Sequence, residues 1–187
     1  LFLNFDIKSK INIKFKEKIF VVGFPENKST AFINKKNKKI NNDFTIFISG
    51  GSQGSEFITN FATNLIKIIE DEKIIKAKFI FQCPKHMINK TKEELRNTNS
   101  NIILKEFFIN LDEILIGTNL AISRAGAGTI IDLINYKLPS ILIPLPSSKD
   151  NHQFYNASIL DDSNLAIIID QKSGDLYKSK KYIYDIY

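Results

Sequence analysis

A single cysteine, Cys83, rules out an internal disulfide and fits a reducing compartment such as the cytosol. Histidine is almost as scarce. Only His86 and His152 occur, with no carboxylate or thiol at ligand spacing, so no metal site is expected. No apolar run approaches the ~18–20 residues that a bilayer-spanning helix needs, and no secretory signal is visible. No Lys-Ser/Thr pair follows a glycine-rich loop, and no G-x-G-x-x-G spacing occurs, which excludes a Walker loop and a dinucleotide fingerprint. No Ser/His/Asp arrangement can be assembled for nucleophilic catalysis. The sequence begins at Leu1 rather than Met, and a piece of a longer chain is expected.

What is present is an ordinary globular composition, 43% hydrophobic and 25% charged, carried unevenly. The formal charge is +6, but residues 1–42 hold ten lysines against Asp6, Glu17 and Glu26, a net of +7. The remainder holds 16 basic against 17 acidic residues, a net of −1. Arg96 and Arg124 are the only arginines, and the excess sits in one Lys/Asn-rich segment rather than on a phosphate-reading face. No nucleic-acid partner is expected.

From residue 43 onward short β-rich apolar runs alternate with helical spacing. Strands are predicted over 44–48 ("FTIFI"), 77–82, 101–107, 120–123, 140–145 and 165–170. Helices are predicted over 55–71, 91–98, 111–117, 129–136 and 151–160. Most of the strands are apolar on both faces, which predicts a parallel sheet covered by helices on each side, a doubly wound, Rossmann-like α/β domain. Residues 1–42 read differently. "KIFVVGFP" (18–25) is one strand, followed by "NKKNKKINN" (34–42), so 1–42 is expected to be a remnant of a neighbouring domain plus a basic linker, and 43–187 the main domain.

Ligands of such sheets bind beyond the carboxyl ends of the strands, and three loops fall there. "GGSQGS" (50–55) follows the first strand. Gly50, Gly51 and Gly54 permit a sharp turn and close approach, Ser52 and Gln53 offer hydrogen bonds, and the next helix offers free N–H groups. These features suit a phosphate; a tight strand–helix turn without a ligand is the alternative. "SRAGAGTIID" (123–132) places Gly126 and Gly128 before a helix read as starting at Thr129, with Asp132 on its first turn. Thr129 and Asp132 outline a capping box; the alternative for Asp132 is a carboxylate that accepts from a ribose diol. "PLPSSKDNHQFYN" (144–156) brings His152 and Gln153 to a helix start on the same edge.

"GGSQGS", "SRAGAGTIIDLINYKLPSILIPLP" and "KDNHQFYNA" stand in the order and spacing of the C-terminal domain of the MurG family. That family comprises the N-acetylglucosaminyltransferases of peptidoglycan synthesis, and the resemblance covers about residues 18–170. It implies the C-terminal, donor-binding half of a two-domain GT-B glycosyltransferase. By resemblance, Ser52, with Gln53 and Gly54 in its loop, meets the phosphate, and Ala127, Gly128 and Thr129 line the diphosphate of UDP-GlcNAc. Asp132 would hold the ribose hydroxyls, where Glu is usual. Phe108 falls where the family meets uracil through backbone groups. His152 and Gln153 occupy the pair that holds the GlcNAc hydroxyls, with Gln common at the first.

The implied reaction is inverting transfer of GlcNAc from UDP-GlcNAc to undecaprenyl-pyrophosphoryl-MurNAc-pentapeptide (lipid I to lipid II), without a cofactor or metal. No catalytic residue is expected in this chain, since the base and the lipid-acceptor site belong to the family's N-terminal domain. The implied place is cytoplasmic, peripheral on the inner face of the bacterial membrane. Two departures stand out. "GFPEN" (23–27) replaces a Gly-Asn-Pro-x-Arg pattern, putting uncharged Asn27 where an Arg would face the diphosphate. The ending, 172–187, reads as too short for the C-terminal helix that crosses back to the first domain in GT-B proteins. A self-standing donor-binding subunit with a separate membrane partner, a non-catalytic nucleotide-sugar-binding remnant and a UDP-GlcNAc epimerase are the other readings.

Overall fold

The computed structural model describes residues 2–3, 20–21, 43–73 and 75–187. The chain divides into two compact units, 1–34 and 35–187. In the first, β1 (Phe2–Leu3) and β2 (Phe20–Val21) pair in parallel. The rest of the strand expected over 18–25, Asn27 and the basic linker at 34–42 lie outside the described residues.

The second unit alternates strand and helix: β3 (Phe44–Ser49), α1 (Glu56–Glu72), β4 (Ala77–Gln82), α2 (Ile88–Glu94), β5 (Asn101–Lys105), α3 (Leu111–Ile116), β6 (Leu120–Ser123), α4 (Ala127–Tyr136), β7 (Ser140–Leu142), α5 (His152–Asp161), β8 (Ala166–Ile168) and α6 (Leu176–Ile186). All six strands run parallel in the order β5-β4-β3-β6-β7-β8. Counted within the unit this is 3-2-1-4-5-6, the doubly wound order with its reversal between the first and fourth strands. The expected fold is the observed one. β3 is central and buried from Thr45 to Ser49, as apolar residues on both strand faces require.

Helix α1 shows how local sequence and packing agree. Ser55 caps it, its Oγ accepting from the Ile58 N–H at 3.2 Å, a cap typically worth about 1 kcal/mol. Ile58, Phe61, Ala62, Leu65, Ile66 and Ile69 then fall on one face and are buried against the sheet. Lys73 ends the helix in a left-handed conformation, φ 54°.

Some boundaries differ from the sequence reading. The helix expected over 91–98 is α2, entered through a 3-10 turn at Lys85–Met87 in which the Met87 N–H reaches the Pro84 carbonyl at 2.9 Å. Past Glu94 the chain turns, and the Thr98 hydroxyl donates to the Leu95 carbonyl at 2.7 Å, a local bond that competes with the helix ladder. The helix expected from 129 starts at Ala127, and the one expected from 151 starts at His152.

The sequence reading places no helix of its own in 172–187, read only as too short for a crossing C-terminal helix, and α6 forms there. Asp175 caps it, accepting from the Lys178 N–H at 2.8 Å. It lies back on its own domain: Ile183 is fully buried, Lys180 Nζ meets Glu72 Oε1 at 2.6 Å, and the Tyr184 hydroxyl donates to the same carboxylate. Those bonds, Lys180 first, hold the Glu72 carboxyl below its ordinary value. Among the described residues no helix is long and apolar enough to cross a membrane.

Candidate functional site

The sheet's reversal lies between β3 and β6, the point at which the loops of such sheets diverge and ligands ordinarily bind beyond the carboxyl edge. Ser49 ends β3, in register with Gln82 on one side and Ser123 on the other. Its hydroxyl donates to Gln82 Oε1 at 2.8 Å and accepts from the Gly51 N–H at 3.1 Å. The turn closes with Gly54 N–H on the Gly51 carbonyl at 3.0 Å, both glycines at positive φ, 83° and 71°. A Cβ on Gly50 would stand 2.4 Å from the Ser55 nitrogen, and one on Gly54 would stand 2.8 Å from the Pro84 ring. Ser52 and Gln53 are exposed at the tip.

Beyond β6, Gly126 is the N-cap of α4 and offers no side-chain bond to it. The first intrahelical bond is Ile130 N–H to the Gly126 carbonyl, 3.0 Å. The N–H groups of Ala127, Gly128 and Thr129 therefore belong to the open first turn, with the positive end of the helix dipole behind them. A Cβ on Gly128 would meet nothing within 4 Å. Thr129 is the third helical residue, not the cap, and Asp132 sits past the first turn, so the capping box outlined in the sequence does not form. Asp132 is half-buried, facing a recess of about 40 Å³ shared with Phe47, Ser49, Ser123, Thr129 and Leu115. Burial raises its carboxyl above the ordinary value of 3.8, and the Asp112 charge adds to the rise. Asp112 itself accepts from the Tyr136 hydroxyl at 2.7 Å. The Ser123 hydroxyl is buried in this recess and has no hydrogen-bond partner among the described residues.

Phe108 follows β5, an edge strand, yet its ring lies edge-on to Phe47 of β3 with centroids 6.3 Å apart. The chain after β5 thus folds back towards the reversal. It leaves a larger recess, about 370 Å³, between Phe107, Phe108, Ile109 and α3. On the far side, the Gln153 side-chain carbonyl accepts from the Leu145 N–H at 3.0 Å and ties α5 to the exit of β7. His152 is exposed, and its Nδ1 pairs with the Lys149 carbonyl at 2.8 Å. The Asn156 amide donates to the Ala125 carbonyl at 3.1 Å.

The edge therefore brings together Ser52, Gln53, Gly54, Ala127, Gly128, Thr129 and Asp132 around the reversal. Phe108 flanks them on the β4 side, and His152 and Gln153 on the β7 side. Sequence reasoning gave no role to Arg124 or Asn156, although both stand inside the quoted motifs. Arg124 is buried and reaches Ser55, Ile143 and Pro144. Its scarcity, as one of two arginines, was the available signal; its burial is set by tertiary packing. Among the described residues no group of three or more His, Cys, Asp or Glu side chains gathers as metal ligands would.

Residues 45–187 match the glycosyltransferase family 28 C-terminal domain. The chain belongs to that family. A UDP-N-acetylglucosamine--N-acetylmuramyl-(pentapeptide) pyrophosphoryl-undecaprenol N-acetylglucosamine transferase of Campylobacter jejuni is 40% identical over 131 residues, 70% of this chain and 37% of that protein. The protein of the same description from Wolbachia pipientis is 37% identical over 129 residues, 69% of this chain and 38% of its own length. The family 28 chain thus spans little more than a third of the curated relatives it matches. Among solved structures, Acinetobacter baumannii MurG superposes with a TM-score of 0.75 at 20% identity, over 90% of this chain and 51% of that one. The glycotransferase of kitacinnamycin superposes at 0.60 with 16% identity, over 77% and 34%. These likenesses bear on the fold alone, a doubly wound parallel sheet covered by helices.

Proposed function

We propose that this domain is the donor-binding half of an inverting hexosyltransferase that moves GlcNAc from UDP-GlcNAc to undecaprenyl-pyrophosphoryl-MurNAc-pentapeptide. The observation that carries the reading is the sheet reversal, where Arg124 ties the start of α4 to the Ser55 cap of α1 and the open first turn of α4 lies beside the half-buried Asp132. That arrangement fits a nucleoside diphosphate: N–H groups and dipole ends for the phosphates, an acid for the ribose diol. The names of the relatives supply the sugar and the lipid acceptor.

In this reading Ser52 and the N–H groups of 127–129 hold the diphosphate, with Gln53 and Gly54 shaping the first loop. Asp132 accepts from the ribose hydroxyls, backbone groups at Phe108 meet the uracil, and His152 and Gln153 face the GlcNAc hydroxyls. The acceptor's C4 hydroxyl attacks the anomeric carbon as the bond to the β-phosphate oxygen breaks. The hydroxyl proton passes to a base in the N-terminal half, and UDP departs with the bonding pair. Negative charge grows on the diphosphate, and fixed N–H groups and helix dipoles stabilise it in place. An acceptor embedded in lipid places the whole enzyme at the cytoplasmic face of the membrane.

Calorimetric titration with UDP and ADP, each with and without EDTA, tests the reading. Selective, EDTA-insensitive binding of UDP is expected. Equal affinity for both nucleotides, or binding lost in EDTA, would overturn it.

A further inference from the structure

Among the described residues Arg124 is a cation that forms no ion pair. The residue is only 8% exposed. Nη1 donates to the carbonyls of Ile143 (3.0 Å) and Pro144 (3.3 Å), and Nη2 donates to Ser55 Oγ at 2.8 Å. The Phe57 ring covers the guanidinium at 5.9 Å. Every one of these acceptors is neutral, and among the described residues no carboxylate pairs with Arg124. Burial pushes the group below its ordinary value, though an arginine stays protonated at any physiological pH. A buried charge left without a counter-charge is costly, and such groups are ordinarily paired. Had the fold required only a tie between the three segments, neutral donors would have sufficed.

Where the charge sits gives it a purpose. Arg124 leaves the backbone three residues ahead of Ala127, where α4 begins, and its guanidinium ends on Ser55, the cap of α1. It therefore joins the two helix starts that face the crevice, and its remaining bonds hold the exit of β7. Ser55 Oγ accepts from both Arg124 and the Ile58 N–H, so the first turn of α1 is polarised by a full positive charge.

We infer that Arg124 is the resident counter-charge of the anion-binding crevice. It is a positioning residue that locks both helix N-termini in register and whose charge is balanced only when a diphosphate arrives. This rests on the reading of the crevice as a nucleoside-diphosphate site. The ligand class is an anion of two or more charges; the nucleoside itself gains nothing from Arg124.

The test is calorimetric titration of the 187-residue chain and its R124M and R124K variants with UDP and with uridine, beside thermal melts. The wild-type chain should bind UDP far more tightly than uridine. In R124M that preference should shrink by about 10–100-fold, with uridine affinity within about twofold of wild type, as expected for loss of one charge at a partly buried anion site. R124K keeps the charge without the fork and should retain more of the preference than R124M. Should R124M fail to fold, R124K decides: a preference within about fivefold of wild type supports the proposal, and any larger loss overturns it. Equal losses for UDP and uridine, or no loss for either, would reduce Arg124 to a structural tie. A wild-type chain that binds neither ligand would instead remove the donor-site reading and this inference with it.

Discussion

The loops after β3 and β6 are both rich in glycine and both open onto a helix, yet their glycines do different work. In the first loop the backbone itself fills the space. A Cβ on Gly50 would strike the Ser55 nitrogen at 2.4 Å, and one on Gly54 would meet Pro84 at 2.8 Å from a φ of 71° that side chains avoid. In the second loop nothing forbids a side chain. Gly128 faces open space, and a Cβ on Gly126 would touch only Thr129 Oγ1 at an ordinary 3.9 Å. Glycine is among the poorest residues for a helical position such as 128, costing about 1 kcal/mol against alanine. The first loop's glycines are thus explained by the fold. Those of the second are not required by the fold, and the proposed donor site accounts for them by seating its ligand at 126–129.

The largest effect that would test this contrast is on stability. Gly50→Ala should cost about 2–4 kcal/mol, the range for forcing atoms against close-packed backbone. In a domain of this size that corresponds to about 5–15 °C in Tm. Thermal melts followed by circular dichroism measure it. A melting point within about 2 °C of wild type would mean that the first loop has slack, and the distinction between the loops would collapse.

Asp132→Ala comes next and separates two roles that coincide in one carboxyl. As an acceptor for ligand hydroxyls it should contribute about 1–3 kcal/mol to UDP binding, the range for hydrogen bonds to a charged group. On its own the group opposes folding. Its folded value is raised by burial and by Asp112, so the native state binds its proton more readily than the unfolded chain does. Its penalty is therefore present above the raised value and relieved as pH falls through it towards the ordinary carboxylate value. The two pH dependences run in opposite directions: as acid is added UDP affinity falls while the Asp132 penalty on folding shrinks. Asp132→Asn should abolish both trends and melt higher than wild type at pH 7. Melts and UDP titrations between pH 4 and pH 8 would show it. A variant that melts lower at pH 7 with unchanged UDP affinity would return Asp132 to a structural role.

How far the sequence could be read follows the same physical division. β3, β4 and β6 were legible to within a residue, because strands buried on both faces leave short, unbroken apolar runs. β7 was drawn too long, since Ile143 is as buried as the strand but the Pro residues at 144 and 146 stop the pairing. The last helix was missed because its sequence, "LYKSKKYIYDI", buries little beyond Ile183 and Ser179 and is held by side chains of α1 distant in sequence. The three loops were found because glycine, proline and small polar residues mark turns locally. Their internal geometry was not: the start of α4 moved by two residues because a glycine, not Thr129, takes the cap. Sequence reasoning gives no role to Arg124, beyond the signal of its scarcity, for a related reason. Its burial depends on Phe57, Ser55 and Ile143, none of them near in sequence.

The smallest predicted effect is also the one that most sharpens the comparison. Gly128→Ala adds one methyl group at the second position of α4, where, among the described residues, a Cβ would meet nothing within 4 Å beyond the adjoining backbone of its own helix. On helix propensity alone it should stabilise the domain, by about 0.5–1 kcal/mol. A ligand seated on the first turn of α4 would meet that methyl, losing contact with the neighbouring N–H groups, and UDP affinity should fall by about tenfold, or ~1.4 kcal/mol. Stability and binding then move in opposite directions from a single methyl, an outcome that destabilisation cannot mimic. The same substitution at Gly50 should lower both together. Measured side by side by melts and UDP titration, the pair distinguishes a glycine kept for the backbone from one kept for a ligand. A Gly128→Ala chain that is more stable and binds UDP as tightly as wild type would place the ligand elsewhere along the edge, with the exposed tip at Ser52 and Gln53 the next position to test.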